Sequence, residues 1–426
     1  MICTSKSFVR PFPRRSQHGT PSLVLSGGWV ALDASTSVRA DVEIVNGHVS
    51  RLIKENRSDC AGSKTPSSKT SAKISVAGCL ILPGLINSHD HLEFNLFPRL
   101  GHGPYPNFEK WALDIYHPER SPIREQLAIP KATRLWWGGL KNLLSGVTTV
   151  CHHNRFETDI FSPAFPIHVV REYGWAHSLR FGKDVIEAFL STPPRVPFVI
   201  HLAEGSDRKS GHEIFDLERL GILDSRTVVV HGVGLTGYGR DLVRRREAGL
   251  VWCPTSNRFT LGTTLGPDFL ESYRRISLGN DSALTAEGDL LDEIRAARRE
   301  GVCSERIYSM VTDAASDVLK LRKSQGKLHP GERADLFVVQ RKGIPPAEEL
   351  IETRLKNIEM VMVSGEPRML STKMAHRCPA GFTEKFEEIE VGGTRCFVRA
   401  PVKELLKETE RFLGSDVRLG GKRVTL

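Results

Sequence analysis

"CLILPGLINSHDHLE", residues 79–93, runs from an unbroken apolar stretch through Pro83 and Gly84 into a segment that ends in two histidines, His89 and His91. On a β-strand, residues i and i+2 project to the same side. A strand here therefore sends both imidazoles into one space and turns Asp90, between them, the other way. Two histidines on one side make half a metal site. The rest of the chain decides whether the other half exists.

Downstream, short apolar runs alternate with helix-like segments. The strand candidates are "GVTTVCHHN" (146–154), "WAHSLRF" (175–181), "PFVIHLAEG" (197–205), "TVVVHGVGL" (227–235), "GLVWCPTSN" (249–257) and "ISLGNDS" (276–282). Between them lie stretches such as "IPKATRLWWGGLKNLLS" (129–145) and "LLDEIRAARREG" (290–301). Strand–helix alternation predicts an α/β fold with a parallel sheet or barrel. Both flanks are β-rich: an Asn46-Gly47 hairpin signal lies upstream, and "GKLHPGERADLFVVQ" (326–340) and "IEMVMVSGEP" (358–367) lie downstream. The expected organisation is a flexible 1–21, a composite β-domain from 22–82 and 326–370, a barrel at 83–325, and a C-terminal extension, 371–426. That extension carries a hairpin ("EEIEVGGTRCFVRAP") and a helix ("VKELLKETERFLG").

The 426 residues carry a net charge of +9, but acids are interleaved with the bases, as in "DLVRRREAG". Such faces are solvated helix surfaces rather than a nucleic-acid stripe. No apolar run approaches the roughly 20 residues of a membrane span. The basic N-terminus lacks a signal core. The eight cysteines are scattered without a C-x-x-C, which reads as reduced thiols. A cytoplasmic protein with no membrane or nucleic-acid partner is expected.

The telling polar residues sit at strand ends: His201 after "VPFVI", His231 after "RTVVV" and Asp281 after "RISLGN". A single histidine in such a place is usually a packed one. Five metal-competent side chains in series, with His89 and His91, favour one centre at the face where α/β barrels gather catalytic groups.

These motifs together resemble the amidohydrolase superfamily. "ILPGLINSHDHLE" looks like its Pro-Gly-x-x-x-x-His-x-His first strand, "GVTTV" its second, "HLAE" its fifth, "VVVHGVGL" its sixth, "CPTSN" its seventh and "LGNDS" its eighth. The resemblance covers about residues 22–366. It implies a distorted TIM-like (β/α)8 barrel with a small β-sandwich domain formed by both ends of the chain. It implies His89, His91, His201 and Asp281 as ligands of one divalent metal, with His231 beside it. Three imidazoles and a carboxylate suit Zn²⁺, with Fe²⁺ or Mn²⁺ as alternatives. Lys183 is a poor candidate for the bridging lysine of two-metal relatives.

Glu204 narrows the branch. His-x-x-Glu after the fifth strand resembles the deaminase and chlorohydrolase-like members, relatives of cytosine and guanine deaminases and triazine hydrolases. Water activated by a metal attacks an sp² ring carbon, and both the ring nitrogen and the leaving amine need protons. A carboxyl that is not a ligand can move them, with Asp281 taking the water's proton and His231 stabilising the nucleophile. Hydrolytic deamination of a nitrogen heterocycle, a small-molecule substrate, is the favoured reading. Ring opening of a cyclic amide and dechlorination are alternatives, and a non-catalytic metal-binding protein is the rival from another class. Glu93, His153, His177, Arg180 and Asn257 are candidate pocket residues, Asn257 through backbone contacts. Trp111, Trp136 and Trp137 read as packing. Homodimers are common among relatives, which makes one an expectation here.

Two departures stand out. Asn280 replaces the threonine usual before the aspartate. Only about 45 residues separate "GVTTV" from "PFVIH", short for two strand–helix units, so the fourth strand is expected to be reduced or missing.

Overall fold

The computed structural model describes residues 22–54, 72–181, 184–321 and 325–426. The expected flexible stretch 1–21 and Lys183 lie outside the described residues. Eight strands make up the middle of the chain: β1 Leu85–Asp90, β2 Val147–His152, β3 His168–Val169, β4 Gly174–Ala176, β5 Phe198–Leu202, β6 Thr227–His231, β7 Gly249–Trp252 and β8 Ile276–Leu278. β4 to β8 form a parallel sheet in sequence order, and β1, β2 and β3 form another. The two meet where β8 runs beside β1. The Asn280 and Asp281 N–H groups donate to the His89 carbonyl at 3.0 Å, and Asp90 pairs in parallel with Asp281. Gly279 permits this approach, because a Cβ there would stand 2.7 Å from the His89 Cβ.

β1, β2, β5, β6 and β7 are buried along their whole length, as a parallel sheet covered on both faces requires. The short spacing noted above has a clear outcome. β3 and β4 are both present but reduced to two and three residues, and only 170–173 connect them. That connection leaves no room for a helix.

The flanking sheet has twelve strands, drawn from Leu23–Ala31 at one end to Lys422–Thr425 at the other. Cys79–Pro83 pairs with both Leu23–Ala31 and Leu336–Gln340, stitching the ends of the chain together. Its residues alternate between two cores: Cys79 and Ile81 pack with Leu25, Val42 and Met360, while Leu80 and Leu82 pack with the Trp137 and Leu140 core. The strand Thr394–Val398 continues this sheet by pairing with Glu366–Ser371, and Glu387–Val391 pairs in turn with Thr394–Val398. The hairpin read in the last section is thus an extension of it, and the helix Val402–Leu413 packs on the helix Lys131–Leu143. Trp137 is fully buried there, its Nε1–H donating to Thr409 Oγ1 at 2.8 Å. Trp136 is buried too, and Trp111 donates to the Leu100 carbonyl. Among the described residues no helix is long and apolar enough to cross a membrane.

Candidate metal centre

His89 is in β1 and His91 follows it directly, while His201 lies in β5, His231 ends β6 and Asp281 follows β8. His231 and Asp281 hold left-handed backbone conformations, with φ of 73° and 58°. Such conformations cost of order 1–3 kcal/mol for non-glycine residues and gather at functional sites.

The ligand atoms converge. His201 Nε2 is 3.2 Å from His89 Nε2 and 3.4 Å from His91 Nε2. Asp281 Oδ1 lies 3.5 Å from His89 Nε2 and 3.7 Å from His91 Nε2. Donors about 2.1 Å from a common ion stand roughly 3.4 Å apart when arranged tetrahedrally. The four groups therefore fit one small divalent cation. Their outer atoms are oriented for it. His201 Nδ1 faces the His177 carbonyl at 2.8 Å, which assigns its proton there and leaves Nε2 as a lone pair. Asp281 Oδ2 accepts from the Ser256 and Thr285 hydroxyls, both at 2.7 Å, leaving Oδ1 for the centre. Such partners fix tautomer and aim.

Electrostatics match. Burial pushes the His91 imidazole down to about 4, and burial likewise lowers His89 and His201. The rings are therefore neutral ligands at physiological pH. Burial pushes the Asp281 carboxyl up, but His89, His231 and His91 outweigh it and hold the group well below the usual carboxylate range.

Glu204 is the contrasting carboxyl. Burial raises it to about 7, with His231 pulling down and Asp281 and Glu213 pushing up. Its Oε1 lies 3.6 Å from His231 Nε2. Asn257 differs from the expected backbone role. Its side-chain Oδ1 faces His231 Nδ1 at 2.8 Å, placing the imidazole proton there and turning a lone pair on Nε2 towards Glu204. The amide reaches because "CPTSN" is a helical turn, Pro254–Leu261, rather than a strand end.

The remaining candidates spread. His153 stacks on His201 with ring centroids 4.2 Å apart, and its Nδ1 stands 3.3 Å from His89 Nδ1. His89, His91, His153 and His201 each offer a ligand atom within 4.8 Å of the others. His177 lies 4.9 Å from His201, with a buried Nδ1 that has no hydrogen-bond partner. Glu93 is buried but turned to Asn154 and His152. Arg180 is exposed and acts on Glu213. Phe108, which opens the helix Phe108–Ile115, has its ring 5.9 Å from that of His177, and no strand-end pattern marks it in the sequence.

The amidohydrolase family matches residues 198–368. A 5-methylthioadenosine/S-adenosylhomocysteine deaminase of Syntrophobacter fumaroxidans is 25% identical over 382 residues, 71% of this chain and 85% of that protein. A 5'-deoxyadenosine deaminase of Methanobrevibacter smithii is 22% identical over 68% of this chain and 79% of its own length. Among solved structures, a zinc-bound adenosine deaminase from Xanthomonas campestris superposes with a TM-score of 0.67 at 15% identity, covering 92% of this chain and 97% of the other. A guanine deaminase from C. acetobutylicum with bound guanine gives 0.60 at 16%, covering 81% and 99%. Motifs, the family match over residues 198–368, the relatives and the fold all carry a likeness to the amidohydrolase superfamily.

Proposed function

We propose that this protein hydrolytically deaminates a nitrogen heterocycle at a mononuclear Zn²⁺ centre held by His89, His91, His201 and Asp281. The observation that carries the reading is the 3.2–3.7 Å spacing of three Nε2 atoms and one carboxylate oxygen, with a protonatable carboxyl, Glu204, beside it. When bound, the cation supplies Lewis acidity and lowers the pKa of water towards neutrality.

The chain's own groups then handle protons. Asp281, kept ionised, accepts the proton released as water adds to the ring carbon. Glu204, half protonated near neutrality, gives its proton to the adjacent ring nitrogen. The C–O bond forms and the C–N bond breaks. Asp281 passes its proton to the departing amine, Glu204 takes up the proton of the added hydroxyl as the C=O bond forms, and the amine leaves as ammonia. His231, its Nδ1 proton assigned to Asn257, offers Nε2 to orient the attacking water. His177 Nδ1, buried without a partner, suits a hydrogen bond to the substrate. Phe108 and Phe181, with ring centroids 5.9 and 5.0 Å from His177, and Phe94 beside His91 suit a flat ring. The deaminase names of the relatives support this chemistry.

The eight parallel strands support a distorted (β/α)8 barrel spanning about 83–325. The two-faced core of the flanking sheet supports a small β-sandwich made from 22–82 and 326–370. Free thiols at the six cysteines among the described residues support a cytoplasmic setting. The test is a panel of amino-substituted purines, pyrimidines, pterins and triazines offered to the Zn²⁺-loaded protein with ammonia as readout. Ammonia release with the ring intact is expected. Ring opening or chloride release without ammonia would overturn the assignment.

A further inference from the structure

Beneath the proposed centre lies a buried ion pair that takes no part in the proton transfers above. Lys141, on the helix Lys131–Leu143, has a side chain only 3% exposed, and the facing Asp90 carboxylate is fully buried. The ammonium has three N–H groups and meets three acceptors: Asn95 Oδ1 at 2.7 Å, Asp90 Oδ2 at 3.2 Å, and Asn280 Oδ1. Asp90 is otherwise saturated by amide donors, from Asn95 at 2.7 Å, Asn142 at 2.9 Å and Asn87 at 3.1 Å.

The location of the acceptors is what matters. Asp90 sits between His89 and His91. Asn280 immediately precedes Asp281. A single cation thus grips the chain next to three of the four proposed ligands, on the two strands that must meet for the site to exist. Asn280 is pinned further. Its backbone N–H donates to the His89 carbonyl at 3.0 Å, and its Nδ2–H donates to the buried Glu293 at 3.3 Å. The His91 N–H returns a bond to the Asp281 carbonyl at 2.8 Å. From this geometry the asparagine at 280 acts as an adapter, accepting from the lysine on one side and donating to Glu293 on the other.

Buried ion pairs are weak sources of stability, because desolvation offsets their attraction. Their best-attested use is to specify one arrangement. We infer that Lys141 is a positioning residue. Acting through Asn280 and Asp90, it fixes Asp281 against His89 and His91 and so sets the affinity and geometry of the metal centre. This rests on the metal assignment made above.

The test uses the full chain with Zn²⁺ and Co²⁺ as probes. Lys141→Met, Asn280→Ala and the double variant are compared with the native protein. Zn²⁺ affinity is read by chelator competition, and ligand geometry by the visible bands of the Co²⁺-loaded protein. Outer-sphere partners are typically worth 10–100-fold in metal affinity, so each single variant is expected to lose about that much, with shifted Co²⁺ bands. The double variant should lose little more than the worse single one, because the two residues act in one chain of contacts. Native affinity and bands in a folded Lys141→Met protein would overturn the inference, and so would fully additive losses. Should Lys141→Met fail to fold, Asn280→Ala decides alone. It leaves the ammonium paired with Asp90 and Asn95, and unchanged affinity in it refutes the positioning role. If the native chain itself binds no Zn²⁺, the metal assignment fails instead.

Discussion

Replacing Glu204 by Gln removes a titratable proton while keeping the shape and burial of the side chain. General acid–base catalysis is worth about 10²–10⁴-fold, or about 2.7–5.4 kcal/mol of barrier. The variant should lose turnover by that factor at pH 7 and keep its metal, because Glu204 is not among the converging ligand atoms. The structure adds a pH signature. Burial raises the carboxyl to about 7, so the acid form that protonates the ring nitrogen is lost as pH rises through that value. About half the molecules carry the proton at pH 7 and roughly 1% at pH 9. Native kcat should fall on the alkaline side, while the variant has no such limb from this group. The ratio of native to variant kcat should therefore shrink by roughly fiftyfold between pH 7 and 9. Steady-state ammonia release across that range, with metal content measured in parallel, gives both numbers. Unchanged turnover at equal metal content, or a ratio flat in pH, would refute the proton-transfer role.

Further consequences concern the supporting residues. Asn257→Ala frees His231 Nδ1, and a 10–100-fold drop in kcat with metal retained is expected, whereas an unchanged kcat would show that the amide does not orient the ring. In the metal-free protein, burial lowers the folded-state values of the site imidazoles, His91 to about 4 from 6.5. The stability they contribute is fully present above about 6.5 and is lost as pH falls towards about 4. Chemical denaturation at pH 7 and pH 4.5 should show this loss, and equal stabilities would contradict it. Trp137→Ala empties a fully buried site and removes the link to Thr409. A cost of about 3–5 kcal/mol in urea unfolding is expected, and a cost below about 1 kcal/mol would mean that the contact between these helices is not part of the core.

The site was legible where chemistry coincides with strand periodicity. His89 and His91 obey the two-residue alternation, and His201, His231 and Asp281 follow apolar runs too short to be anything but strands. The reduced β4 was visible as missing length, whereas the two-residue β3 was not foreseen. Lys141 was not legible: at its position in "GGLKNLLS" it looks like an ordinary helix-surface cation. Only the packing of that helix against the turn Leu92–Phe94 after β1 and against β2 turns it inward. Asn280 did register, as a departure from the usual threonine, but its partners lie 139 and 13 residues away and no local pattern names them. The role of Asn257 was misread for a similar reason, since the strand ends earlier and the residue enters a helical turn that aims its side chain at His231. The C-terminal hairpin was readable from "VGGT", but its membership of the large sheet depends on pairing with Glu366–Ser371.

The most direct test of the central claim is metal stoichiometry combined with an anomalous-scattering map of the Zn²⁺-loaded crystal. The account predicts one ion per chain, bonded to His89, His91 and His201 through Nε2 and to Asp281 through Oδ1, at about 2.0–2.3 Å. A protein that takes up no divalent metal, or an ion bound away from these four side chains, would contradict it.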